Sequence, residues 1–310
     1  MQVWQTDELG GYMYADNLSE ILRTAVQPLI RFRQFCDVRA AKGYKKGQTF
    51  NWNAYSDTED EGRVIQETEE VPQTNYTISQ NSLTVKRYGM SVPFSELLDD
   101  LSEHPVKEVI TQVLKNDCRR VLDKEAWKQF KKTPLKVTSS SATGVNFQTG
   151  GTAGGTHTHG FSAEATLSHA KWVVDTMTER DIPTYDGTNY IALSRPRNLR
   201  SLKDHLEGIH KYTVPGWNHI MNGEKGRYEG IRYIEQTNVS KVAAANSDDI
   251  FFFGADTVIE AVVCPEEIRG KIPTNFGFSR AIMWYALLGF GINHTQSDQA
   301  RVLHWTATDA

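Results

Sequence analysis

His157 and His159 flank one threonine and could in principle hold a metal between them. A zinc site needs three or four ligands at stereotyped spacing. No cysteine and no third ligand lies close in sequence, so the pair reads as solvated loop histidines. His205 and His210 are five apart, which sets them on different faces of a continuing helix. Asp57, Glu59 and Glu61, followed by Gly62, match the opening of a calcium loop. Position twelve of such a loop carries a bidentate glutamate; here it is Thr68, and the cluster reads as a charged tip. Gly150, Gly151, Gly154 and Gly155 lack the GK[ST] ending and the preceding apolar strand of a phosphate loop. Neither a nucleophile elbow nor a zinc-protease or dinucleotide signature occurs in a strand-to-helix setting. The residues therefore nominate no catalytic side chain, no metal ligand and no cofactor, and the expectation is a protein that is not an enzyme.

Composition narrows the class further. Hydrophobic residues make up 39% of the 310, enough for a sizeable core and one or two domains. Lys and Arg number 34 against 38 Asp and Glu, a net charge of −4. Proteins that grip duplex DNA by counterion release carry a basic surplus, which is missing here. Cys36, Cys118 and Cys264 are far apart and odd in number, which argues against a disulfide framework and for a reducing compartment. Met1 to Gly10 contains Asp7 and Glu8 and no apolar run, so no signal peptide is expected. The apolar stretch within Ala281–His294 is shorter than the ~20 residues of a spanning helix, and no membrane partner is expected.

Asp16–Phe35 has a helical period, with Pro28 set to kink or break its last turns. Gln48–Tyr55 alternates, with Phe50, Trp52 and Ala54 on one face. Asn75–Tyr88 alternates as well, through Tyr76, Ile78, Leu83 and Val85. Between them lies acidic Ser56–Gln73, so the pair predicts a long two-stranded arm with a charged outer part. An isolated ribbon is marginal in water and needs a surface to lie on. Val106–Lys131 predicts a helix roughly 38 Å long, with a broad stripe that includes Val109, Val113 and Trp127. Thr133–Gly160, rich in Ser, Thr and Gly, predicts a loop or exposed hairpin and a boundary. Beyond it, helices over Ala163–Arg180 and Pro196–Leu206 mix with strands over Asn189–Leu193, Arg227–Gln236, Ile250–Phe253 and Val258–Cys264. Two strands, Ser279–Ile292 and Ala300–Thr306, close the chain. The fold class is α+β.

Three segments carry a resemblance. Gln80–Ser95 (QNSLTVKRYGMSVPFS) resembles the stretch that leads from arm to spine in major capsid proteins of tailed bacteriophages with the Hong-Kong-97-type fold. Gly223–Glu235 (GEKGRYEGIRYIE) is similar to a segment of one subfamily of these proteins. Phe253–Ile259 (FGADTVI), followed by Gly289–Ile292 (GFGI), fits that subfamily's C-terminal third. The similarity spreads over roughly residues 15–306, and 133–160 has no counterpart.

The resemblance implies an N-terminal arm at 1–46 and an extended β-hairpin loop at 47–90. It implies a peripheral domain with the spine helix from 91–132 and 276–310, an insertion at 133–160, and an α+β axial domain at 161–275. It further implies self-assembly through hexamers and pentamers into an icosahedral shell around phage double-stranded DNA, without sequence-specific binding. Partners would be other copies, with portal, scaffold and decoration proteins. The location would be the virion, after assembly in the host cytoplasm. The contact residues expected on the arm are Phe50, Trp52, Asp57, Glu59, Asp60, Glu61, Arg63, Glu67, Glu69, Glu70 and Tyr76. Those expected on the spine of a neighbour are Arg119, Arg120, Lys124 and Lys128. Exposed ion pairs add little stability, so their role would be register. No Lys or Asn matches an isopeptide-crosslinking motif. An encapsulin-like nanocompartment shell keeps the fold and changes the cargo. A soluble α+β enzyme with an unrecognised site is the alternative of another class.

Overall fold

The computed structural model describes residues 27–40, 49–56, 58, 62–67, 69–141, 144–149, 152–157, 164–204, 227–238 and 247–308. Fourteen strands are present among them: β1 (Asp37–Ala40), β2 (Thr49–Tyr55), β3 (Ile78–Thr84), β4 (Lys86–Ser95), β5 (Leu135–Ser141), β6 (Gly144–Thr149), β7 (Thr152–His157), β8 (Tyr190–Ser194), β9 (Arg227–Tyr228), β10 (Ile231–Glu235), β11 (Ser247–Phe253), β12 (Val258–Gly270), β13 (Ser279–Ile292) and β14 (Val302–Thr308). The helices are α1 (Glu96–Leu101), α2 (Val106–Phe130) and α3 (Leu167–Glu179). One sheet has the order β1-β12-β13-β4, a second β7-β6-β5-β14-β11-β8-β10-β9, and β2-β3 stand apart as a ribbon.

The eight-stranded sheet divides the interior into two cores. Along β11, Ile250 and Phe252 face a core covered by α3, while Phe251 and Phe253 face one covered by α2. In β8, Ala192 joins the first core and Ile191 and Leu193 the second; in β14, Leu303 and Trp305 join the first and Val302 the second. A strand buried on both faces can be apolar throughout, and Ile250–Phe253 is. The α2 core is closed by Trp284, Ala286 and Leu288 of β13 and by Phe94 of β4. Phe32 and Phe130 fill its end against Phe251, with ring centroids 5.6 and 6.3 Å from that ring.

The buried apolar residues of α2 recur every four positions: Val106, Ile110, Leu114, Cys118, Leu122, Ala126 and Phe130. Each step of four overshoots a turn by about 40° at 3.6 residues per turn, so the stripe winds around the helix. A wound stripe lets one helix meet β4 and β13 and end, through Phe130, on the eight-stranded sheet. The stripe is narrower than the sequence suggests, since Val113 is exposed.

Other expectations change in detail. Residues 16–26 of the expected first helix lie outside the described residues, and 27–32 are not helical; only Arg33–Phe35 form a 3-10 turn. Pro28 donates no backbone hydrogen bond and biases Gln27 toward extended geometry. Residues 133–160 are no simple boundary: β5 pairs in parallel with β14, β6 and β7 extend the sheet, and Leu135 and Val137 are buried. The expected strand over 227–236 is a tight hairpin, because Glu229 and Gly230 both take positive φ (49° and 71°) as such a two-residue turn requires. β12 continues past Cys264 to Gly270, through polar and exposed residues with no core period to betray them. The sheets also cut across the expected domain boundaries. β12 pairs with β13 in the four-stranded sheet, while β14 pairs with β11 in the eight-stranded one. α1, not expected from the sequence, starts where Ser95 Oγ accepts the Leu98 amide at 3.2 Å. The helix expected at 196–206 begins as turns at 196–199 and is helical at 200–204.

Candidate assembly surfaces

The ribbon is built from the expected alternation. β2 and β3 pair antiparallel from Thr49↔Thr84 to Tyr55↔Ile78. Phe50, Trp52 and Ala54 are half-buried, and their neighbours along β2 are exposed. The surface they rest on is this chain's own. Phe50, Trp52, Leu83 and Val85 pack on Ile259, Ala261 and Val263 of β12. Sequence reasoning had Phe50 and Trp52 anchoring the arm on a neighbour; the structure makes them the arm's root. A two-stranded ribbon needs a third layer, and the near one is always at hand.

Beyond that root the ribbon is exposed. Tyr55, Val64, Val71, Tyr76 and Ile78 are each more than half accessible. Glu67, Glu69 and Glu70 are exposed, and Arg63 Nη2 meets Glu69 Oε1 at 2.5 Å within the tip. Asp57, Glu59, Asp60 and Glu61 lie outside the described residues, as do His159, His205, His210 and the side chain of His157.

On the spine, Arg119, Arg120 and Lys128 are exposed and Lys124 is half-buried. Arg120 pairs with Asp117 at 3.2 Å, and Lys128 with Glu125, each one helical turn away. These local pairs were overlooked in the sequence, although i,i+3 spacing is legible. Arg119 lines a cleft of about 310 Å³ between α2 and the β12–β13 hairpin, with Arg33, Lys115, Glu266, Ile268 and Trp284. Burial pushes the thiol of Cys118, which also lines this cleft, up to about 11, so it is protonated and unreactive at neutral pH. A second apolar surface caps the opposite end of the four-stranded sheet. There Leu97, Leu101, Ile272, Phe276 and Phe278 are exposed around a turn in which Asn275, Phe276 and Gly277 all have positive φ.

The buried ionisable groups are used internally. Glu260 receives Arg33 Nη2 at 2.7 Å. Asp123 accepts the Arg33 amide at 3.0 Å and Asn238 Nδ2 at 2.9 Å; burial raises its carboxyl despite these donors. Asp249 Oδ1 sits 2.7 Å from His304 Nε2, and its other oxygen accepts Lys131 Nζ at 3.2 Å. Burial alone would raise the Asp249 carboxyl, but His304 and Lys131 bring it below the ordinary value. Together these bonds tie the segment before β1 to the spine, and the spine's last turn to the eight-stranded sheet. No group of three or more His, Cys, Asp or Glu is placed to hold a metal among the described residues. No helix among them is long and apolar enough to cross a membrane.

No protein-family model matches the chain, and no curated protein matches it in sequence. Solved structures are similar over nearly its whole length. The capsid of cyanophage P-SCSP1u gives a TM-score of 0.69 at 10% identity, covering 98% of this chain and 94% of that one. The head structure of Helicobacter pylori bacteriophage KHP40 gives 0.68 at 10%, covering 96% and 95%. The capsid of a native GTA particle gives 0.64 at 13%, covering 99% and 100%. The fold is thus the α+β, Hong-Kong-97-like fold of phage capsid subunits. The neighbours are structural proteins of particles.

Proposed function

We propose that this chain is a major capsid protein. It assembles through hexamers and pentamers into an icosahedral shell that encloses phage double-stranded DNA. The observation that carries this reading is the ribbon: rooted in the subunit, apolar and acidic beyond its root, with nothing among the described residues to cover it. Such a shape suits heterologous contacts that close on themselves. In this reading the arm tip, with Arg63, Glu67, Glu69, Glu70 and Tyr76, lies on the spine region of the next subunit, where Arg119 and Lys124 offer opposite charge. The four carboxylates of the tip outside the described residues, Asp57, Glu59, Asp60 and Glu61, belong to the same contact. The working division of the chain remains arm, extended loop, peripheral domain, insertion and axial domain. Its partners are further copies, a portal, scaffold and decoration proteins, and packaged DNA held without sequence-specific contacts. Assembly takes place in the host cytoplasm.

The role is structural rather than catalytic. Among the described residues, neither the cleft at Arg119 nor the one lined by Arg31, Tyr185 and Arg232 is lined by Asp123, Asp249, Glu260 or His304. Electron microscopy of the purified protein is expected to show closed particles or rings of subunits. A monodisperse monomer by light scattering at every concentration would overturn the reading. Deleting residues 57–70 is expected to leave a folded subunit, by circular dichroism, that forms no particles.

A further inference from the structure

One cross-strand pair of the ribbon is hydrogen-bonded to the body. Trp52 and Asn81 lie directly opposite one another in β2 and β3. Both donate to the same acceptor: Trp52 Nε1 lies 3.1 Å, and Asn81 Nδ2 2.9 Å, from the carbonyl oxygen of Asn293. Asn81 Oδ1 in turn accepts Thr295 Oγ1 at 2.5 Å. Asn81 and Asn293 are 6% and 5% exposed, so these bonds are shielded from water. Asn293 is itself held, by its amide to Thr257 O at 2.8 Å and by Nδ2 to Asp256 O at 3.3 Å. The Asp256 carboxylate faces Arg301 at 3.4 Å and Arg39 and His294 at 3.8 Å, which ties the same corner to β1.

Two pairs below, Leu83, opposite Phe50, presses on a track of glycines. A Cβ on Gly289 would come within 2.7 Å of Leu83 Cδ1 and 2.8 Å of Thr84 O, and one on Gly291 within 2.8 Å of Leu83 Cβ. The ribbon therefore lies on bare backbone on one side of the pair and runs free on the other. There the inward-facing Ala54 and Ser79 are only half-buried, and every described residue from 62 to 78 is exposed.

We propose that Trp52, Asn81, Asn293 and Thr295 form a clasp that fixes the direction in which the arm leaves the body, and through it the curvature of the assembled shell. The second half of this statement rests on the shell reading; the first half does not. Two donors on one fixed oxygen define a direction, whereas the apolar packing below them defines only contact. Trp52, Asn81 and Thr295 are positioning residues, acting through the direction of the ribbon.

The test uses the full chain with Asn81→Ala, Trp52→Phe and Thr295→Val, and Thr295→Ser as the variant that keeps the hydroxyl. Hydrogen exchange of the unassembled subunit is read at 49–55 and 78–84. Loss of a buried bond and the orphaned partner speeds exchange there by about tenfold or more. Exchange in α2 and thermal unfolding, expected to change little, separate loosening of the ribbon from general unfolding. Trp52→Phe serves if Asn81→Ala does not fold. Particle diameters by electron microscopy are expected to broaden in the three disrupting variants and to match wild type in Thr295→Ser. Ribbon exchange at the wild-type rate in both Asn81→Ala and Trp52→Phe would overturn the clasp. Faster exchange with unchanged diameters would overturn its control of curvature. If the wild-type chain forms no particle at all, it is the shell reading that fails, and exchange alone decides the clasp.

Discussion

His169 is the second residue of a reciprocal cap: its Nδ1 accepts the Thr166 amide at 2.9 Å and so starts α3. Its ring packs edge-on to Trp305, 4.1 Å between centroids, inside the α3 core. Burial lowers its pKa to about 3, so the native state keeps it neutral. The unfolded chain takes up the proton below about 6.5, the native chain does not, and stability therefore falls as pH falls through that window. The slope expected from this one group is at most about 1.4 kcal/mol per pH unit between those values. Urea unfolding of wild type and His169→Gln at pH 7 and pH 5 checks it: the substitution lowers stability at pH 7 and flattens the fall. Its residue type does not mark His169 as a cap. Its signal, Thr166 three residues ahead of a long amphipathic run, is legible only once a histidine is admitted in the place of the usual Glu or Gln.

At the scale of elements, α2 and the ribbon show how far periodicity reaches. The extent of α2 is legible because four-residue steps of large apolar residues continue unbroken from Val106 to Phe130. Its winding stripe distinguishes positions that composition treats alike. Leu122 is fully buried, and Leu122→Ala is expected to cost about 2–5 kcal/mol. Val113, more than half exposed, is expected to stay within about 0.5 kcal/mol when changed to Ala. Paired chemical denaturation of the two variants measures the difference. The alternation of Phe50, Trp52 and Ala54 likewise reveals a ribbon with one sticky face. It does not say whose surface that face meets, because burial against self and burial against a neighbour select the same residue types. Only the absence of a Cβ at Gly289 and Gly291, read together with Leu83 above them, assigns the face to the subunit's own sheet.

For the whole molecule, the near balance of charge hides an uneven distribution. Glu67, Glu69 and Glu70 stand on the exposed arm, while Lys115 and Arg119 stand at the cleft beside the spine, where Arg33 is already paired with Glu260 and Glu266. If opposite charges steer encounter between subunits, assembly slows as salt rises from about 0.05 to about 0.5 M, where the screening length falls well below 10 Å. Light scattering during assembly at neutral pH should show this dependence; a rate indifferent to salt would remove the charged tip from the encounter step. Sequence alone determined the α+β class, the long spine helix, the ribbon and its acidic outer part, since each depends on local period and composition. The resemblance of three short segments pointed to a capsid subunit, and the solved neighbours bear out the fold. Tertiary structure decided what period cannot encode. It placed β12 with β13 and β14 with β11, drew β5, β6 and β7 into the eight-stranded sheet, and turned Phe50 and Trp52 inward. Strand pairing across hundreds of residues depends on which surfaces fit together in three dimensions, and a period-two pattern specifies a face without naming its partner.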